Sequence, residues 1–201
     1  MYKLSTDISN AFCCTLRWLQ IFQLSACGES SQLLKFSKAV YSNTNFFIKG
    51  ENGEISPIIG ENRGGTQGAL TTPPHFSLYT LQLQNAIESS ETKIEIEGVK
   101  VNTSATADDQ VNAAKSKTDF MVLSDLYEWY HKIFKLSFGW EKTVVQVYGV
   151  QNPKDHMEGI TFGGCTLEVT DQFTHLGIEC HNDIEQVAKV NITKRFKNLK
   201  I

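Results

Sequence analysis

TSATADDQVN, residues 103–112, decides the fold. It reads as a strand, a turn and a second strand, with Asp108 and Asp109 at the bend. Outward from it, YKLSTD (2–7) alternates enough to be a short strand, and it too ends in an acid, Asp7. Acids at strand ends can converge in space however far apart they lie along the chain. Hard divalent cations take oxygen ligands, and Mg²⁺ favours one or two carboxylates plus water and phosphate. Two such ions about 3.5–4 Å apart can activate an attacking hydroxyl and hold a leaving phosphate. A single Asp at a strand end is more often a turn or cap residue, so these three acids take their meaning from their surroundings.

Residues 9–26 predict a helix whose apolar face is Phe12, Leu16, Leu19, Ile21, Phe22 and Leu24, stopped by Gly28. A second helix is expected over 30–41. A strand over 44–50 then turns at Asn52-Gly53 and returns over 55–59. GENRGGTQG (60–68) is a glycine-rich loop before a helix over 74–88. KIEIEGVKV (93–101) predicts a ribbon bent at Gly98, and a helix follows over 116–135. A strand over 141–149, a hairpin over 159–170 and a strand over 173–179 are expected to complete the sheet. The tail, 183–200, reads as a helix carrying Lys189, Lys194, Arg195, Lys197 and Lys200. Without regular βαβ alternation the class is α+β, and a Rossmann reading is poor.

The 201 residues are 41% apolar and 20% charged, enough for a real core and too ordered in composition for general disorder. No apolar run approaches the roughly 20 residues that span a bilayer. The net charge of −3 does not advertise a nucleic-acid binder, although acids gathered in one place can mask a basic groove. Five cysteines, with Cys13 and Cys14 adjacent, suit reduced thiols in an intracellular setting, nucleus or cytoplasm. The N-terminus lacks the build of a signal peptide, so the sequons at Asn102 and Asn191 are expected to be unused. The five histidines show no metal-ligand spacing. GENRGG lacks the Gly-Lys-Ser/Thr ending of a triphosphate loop.

Taken in order, several blocks resemble the palm of a reverse transcriptase, most closely the type encoded by non-LTR retrotransposons. They are Asp7-Ile8-Ser9-Asn10-Ala11-Phe12, YSNTNFFIKGENGEIS (41–56), RGGTQGALTTPPHFSLY (63–79), Thr106-Ala107-Asp108-Asp109, and LSFGWEKT (136–143) followed by FTHLGIE (173–179). One Ala-Asp-Asp is a weak signal, whereas these blocks in this order are a specific one. The resemblance implies a palm-type antiparallel sheet with helices on one face over 1–180, with the fingers missing, and the start of a thumb over 181–201.

It also implies roles. Asp7, Asp108 and Asp109, with the Ile8 carbonyl, match the site that holds two Mg²⁺ ions or Mn²⁺. Phe12 matches the bulky residue beneath the incoming sugar, although it equally fits the apolar helix face. Gln67 and Gly68 match the loop near the nascent base pair. Lys142 matches a lysine that protonates the pyrophosphate leaving group, and is otherwise a solvated strand charge. Phe173, Leu176 and Gly177 match the hairpin that grips the primer. The implied partners are an RNA template, a DNA primer and deoxynucleotide triphosphates, with no membrane.

Departures from the family bear on activity. Thr106 stands for an aromatic residue, Thr66 for an Arg, Cys13 for an Asp and Gly139 for an Asn. Phosphoryl transfer depends on positioning and charge stabilisation, so a palm without fingers is expected to polymerise weakly. The alternative is an inactive relic that at most binds nucleic acid.

Overall fold

The computed structural model describes residues 1–42, 44–65, 69–96, 98–106, 108–183 and 187. They form two compact units: Met1–Ser9, Leu83–Tyr130 and the described part of Phe138–Ile201 make one, and Asn10–Gln82 with His131–Ser137 make the other.

The first unit is built on a sheet. Strand β1 (Tyr2–Ser9) lies at its centre, with β2 (Thr103–Thr106), β3 (Asp109–Ala114), β4 (Val144–Val147) and β5 (Glu168–Val169) in the order β5-β4-β1-β3-β2. β1 runs antiparallel to β3, from Tyr2 opposite Ala114 to Asp7 opposite Asp109, and antiparallel to β4. β5 joins β4 in parallel, so the sheet is mixed where a wholly antiparallel one was expected. Alternation along β1 buries Tyr2, Leu4 and Ile8 and leaves Lys3, Asp7 and Ser9 on the opposite face. Burial of such apolar side chains contributes about 2 kcal/mol each.

Helix α5 (Lys117–Phe134) supplies the cover for that face. Tyr2 packs on Phe120, and Tyr127 packs on Phe162, with ring centroids 5.7 and 5.5 Å apart. The Tyr127 hydroxyl, fully buried, donates to Gln110 Oε1 at 2.7 Å and accepts from Asn112 Nδ2, which ties α5 to β3 by a polar bridge within the core. Burial pushes that phenol up to about 12. Asn102 is buried and donates to the Ile87 carbonyl at 2.5 Å, so its sequon has no free amide to offer. Asn191 lies outside the described residues.

On the other face of the sheet lies a hairpin, β6 (Gln172–His175) and β7 (Ile178–His181). Periodicity predicts one strand over 173–179, whereas the resemblance implies a hairpin at Phe173, Leu176 and Gly177; the chain turns at Leu176-Gly177, both with positive φ (49° and 78°). Such a pair is the two-residue turn that matches strand twist, and leucine at its first position gives periodicity no warning of it. The hairpin is tied to the sheet by Gln146 Nε2 donating to the Asp171 carbonyl at 2.9 Å, and by Lys3 Nζ lying 4.7 Å from the Phe173 ring centre.

The second unit contains α1 (Ala11–Cys14), α2 (Arg17–Ala26), α3 (Ser31–Ser42) and residues 72–82 of α4 (Thr72–Ser89). The helix expected over 9–26 is therefore broken. Asn10 takes a left-handed conformation and Thr15-Leu16 are extended. The glycine loop explains the break: Gly64 N–H donates to the Thr15 carbonyl at 2.8 Å and Gly65 N–H to the Phe12 carbonyl at 2.9 Å, claiming acceptors a continuous helix would use. A Cβ on Gly64 would fall 2.6 Å from the Cys13 Cα, so only glycine lets the two backbones meet. Arg17 binds this loop through Gly64 O at 2.8 Å, Tyr41 O at 2.7 Å, Glu61 O, and the Glu61 carboxylate at 2.8 Å. The hairpin expected over 44–59 forms, but shrinks to Asn45–Phe46 against Ile59–Gly60 and a bridge between Lys49 and Ile55 around the Asn52-Gly53 turn. Among the described residues no helix is long and apolar enough to cross a membrane. The expected tail helix lies almost wholly outside them.

Candidate active site

Strand register brings the first and last acids together. Asp7 and Asp109 are direct partners across β1 and β3, so their Cβ atoms lie about 4.5–5.5 Å apart. Asp108 precedes Asp109 at the turn. Like charges directly opposite one another destabilise a sheet, and this pair therefore needs a cation.

Lys142 supplies one. It ends a 3₁₀ turn, Trp140–Lys142, in which Lys142 N–H and Thr143 N–H both donate to the Gly139 carbonyl at 2.9 Å. The Trp140 ring, 5.3 Å from the Phe138 ring and 6.2 Å from that of Phe162, seats the turn. Lys142 Nζ reaches Asp7 Oδ1 at 3.2 Å. The hydrogen bond and charge of Asp7, and then the charges of Asp108 and Asp109, hold the lysine above its ordinary pKa against desolvation. Three carboxylates thus act on one ammonium. The lysine side chain is 72% exposed and that of Asp7 only 20%, so the ammonium can leave while the carboxylate stays.

Gly139 makes room for this arrangement. Its N–H donates to the Asp7 carbonyl at 2.8 Å, and a Cβ at this position would fall 2.5 Å from Asp7 Oδ2. The departure Gly139 thus becomes a steric requirement of the site. On the other side, His175 Nδ1 stands 3.9 Å from Asp109 Oδ2. Sequence reasoning gave His175 no role. The only signal available was its position two residues from Phe173, which puts the two on one face of a strand.

The remaining expected residues fall elsewhere. Ile8 is buried at 1% exposure, so only its backbone carbonyl could serve a ligand. Phe12 lies in the second unit, half-buried and edge-on to Phe76 with centroids 5.2 Å apart, which is the core packing that its helix face also allowed. Gln67 and Gly68 lie outside the described residues. Phe173 is half-buried against Lys3, and Leu176 is exposed.

Among the described residues no group of three His, Cys, Asp or Glu side chains is placed to hold a metal ion. The donors nonetheless suit a hard cation, since Mg²⁺ is commonly held by one or two carboxylates with water completing its shell. Asp7 and Asp109 offer oxygen donors on opposed strands, and the charge that now balances them sits on an exposed side chain.

No family model and no curated protein sequence matches the chain. Solved structures do. The chain is similar to apo telomerase from Candida tropicalis truncated from its C-terminal domain, at 11% identity and a TM-score of 0.61, over 90% of this chain and 34% of that one. It is similar to apo telomerase from Candida tropicalis at 10% identity and a TM-score of 0.61, over 90% of this chain and 31% of that one. It is also similar to telomerase from Candida albicans in complex with a fragment of telomeric RNA, at 10% identity and a TM-score of 0.61, over 90% and 30%. The chain spans about a third of the length of these structures. The likeness is one of fold alone: mixed α and β elements around a central sheet.

Proposed function

We propose that the chain is the palm of an RNA-directed DNA polymerase of the non-LTR retrotransposon type. The observation that carries this reading is the opposition of Asp7 and Asp109 at the sheet, with Asp108 adjacent and one exposed ammonium balancing them. Asp7, Asp108, Asp109 and the Ile8 carbonyl would hold the Mg²⁺ ions, or Mn²⁺, which when bound neutralise charge on the reacting phosphate. The overall reaction joins a primer 3′-hydroxyl to the α-phosphate of a deoxynucleotide and releases pyrophosphate. Within it, Asp7 and Asp109 fix where cationic charge resides. Gly139 holds the β1 end through its N–H and keeps clear the space Asp7 fills. Lys142 carries a proton on Nζ beside Asp7, ready for transfer to the departing pyrophosphate oxygen as the P–O bond breaks. Nucleic acid is accordingly the proposed partner, as an RNA template paired with a DNA primer.

Binding of a primed RNA template in the presence of a deoxynucleotide triphosphate tests the proposal. Binding should require Mg²⁺ and fall with Asp109→Asn, and extension should be weak and abolished by Asp108→Asn. Binding unaffected by EDTA would overturn the proposal. A second reading, an inactive module that binds nucleic acid, is favoured by Thr106, which stands opposite Asp109 across β2 and β3 where the family carries an aromatic residue. Salt-sensitive but metal-independent binding would support it.

A further inference from the structure

We propose that the groove between α2 and α3 takes the outer face of α5 from a second copy of the chain. The inference involves neither the acids at the strand ends nor nucleic acid, so it stands or falls apart from the function proposed above.

Helix α2 buries Leu19, Gln23 and Leu24 and turns Trp18, Ile21 and Phe22 the other way. These three follow the i, i+3, i+4 spacing of one helical face. Leu34, Lys38 and Tyr41 of α3 line the same groove, which encloses about 640 Å³. Trp18 is 67% exposed and Phe22 61%. Aromatic rings left in water one turn apart are the kind of anchor that carries binding energy at interfaces. The ten residues of α2 give the groove a length of about 15 Å, close to three helical turns. The recognition mode that fits is a helix laid along an apolar groove.

Charge identifies the occupant. Among the described residues no acid lines the groove. Arg17 at its end is already paired with Glu61 at 2.8 Å. Lys38 lines the groove and Lys35 precedes it by one turn; both are exposed, and among the described residues no ion pair engages either. The groove therefore suits an apolar helix face that carries an acid. A nucleic acid presents a phosphate at every nucleotide and is held by several cations, which one exposed lysine on an aliphatic floor of Ile21 and Leu34 does not supply. The chain carries the matching face itself. Helix α5 buries Phe120, Leu123 and Tyr127 and leaves Met121, Val122 and Trp129 exposed, Trp129 by 54%. Asp125 is exposed on that same face, four residues from both Met121 and Trp129. Glu128 beside it accepts the Gly163 N–H at 2.6 Å, and Lys132 follows a turn later. Asp125 is thus the acid placed to meet Lys38 when Trp129 enters the groove.

Sedimentation equilibrium of the full chain over about 1–100 µM tests this. The wild-type chain should self-associate, and Trp18→Ala or Trp129→Ala should each weaken association at least tenfold. Lys38→Glu and Asp125→Lys should each associate at least tenfold more weakly alone, and regain wild-type affinity when the two variants are mixed, because mixing restores opposite charges across the contact. Rescue on mixing also shows that both variants are folded. A wild-type chain that stays monomeric over the whole range overturns the inference. So does association that Trp18→Ala and Trp129→Ala leave intact, or a pair of reversed variants that mixing fails to bring together, since either result places the contact elsewhere.

Discussion

Gly139→Ala should damage the site far more than the fold. The added methyl would begin 2.5 Å from Asp7 Oδ2, and ordinary contact requires about 3.4 Å. The carboxylate must therefore retreat by roughly 0.9 Å, or β1 and the 3₁₀ turn must part. The carboxylate is the end of a side chain that can rotate, so the cheaper response is its retreat, at about 1 kcal/mol of stability, the low end for overpacking. Its position is nevertheless what the chemistry uses. A displacement near 1 Å in a reacting constellation costs about 10²-fold, and Lys142 loses its 3.2 Å partner in the same movement. Urea unfolding would measure the first effect, and Mg²⁺-dependent binding of a primed template the second. A variant that keeps the wild-type metal dependence would refute the assignment of Gly139 as the residue that makes room for Asp7. A loss above about 4 kcal/mol would show instead that the backbone, not the carboxylate, yields.

Three other substitutions probe separate parts of the structure. Tyr127→Phe removes the hydroxyl shared by Gln110 and Asn112 and should cost about 1–3 kcal/mol in urea unfolding; a neutral result would mean the buried amides find other partners. The Lys142 ammonium, followed by NMR, should titrate above an ordinary lysine and return toward it in Asp7→Asn. Its contribution to stability is full below the unfolded lysine pKa and is lost as pH rises through the raised folded value; an unchanged midpoint in Asp7→Asn would contradict the pairing. Arg17→Lys should destabilise the second unit by about 3 kcal/mol, because a lysine cannot reproduce the fork that binds Gly64, Tyr41 and Glu61 together; equal thermal stability would refute that role.

Much of the first unit was legible because its signals are local. The period-two pattern of residues 2–7 found β1, and TSATADDQVN found the β2–β3 hairpin and its acids. The expected helix over 116–135 differs from α5 by a residue at each end. What could not be read was decided at a distance. The break after Cys14 depends on Gly64 and Gly65 taking carbonyls of the broken helix, and helical periodicity in 9–26 cannot register such competition. The parallel docking of Glu168–Val169 on β4 follows no turn signal. The Leu176-Gly177 turn, implied by block order, escapes periodicity because leucine seldom takes positive φ. In the site, the acids and Lys142 came from motif order. Gly139 appeared only as a departure and His175 not at all, since their roles arise from an approach of 2.5 Å and a separation of 3.9 Å between segments remote in sequence.

The most direct measurement is a double-mutant cycle on Mg²⁺ binding, by calorimetry of the wild-type chain, Asp7→Asn, Asp109→Asn and the pair together. Carboxylates that share a cation are coupled, so each single change should weaken binding at least tenfold and the second should add little to the first. Two losses that simply add, or Mg²⁺ binding that survives both substitutions, would contradict a common site for these acids.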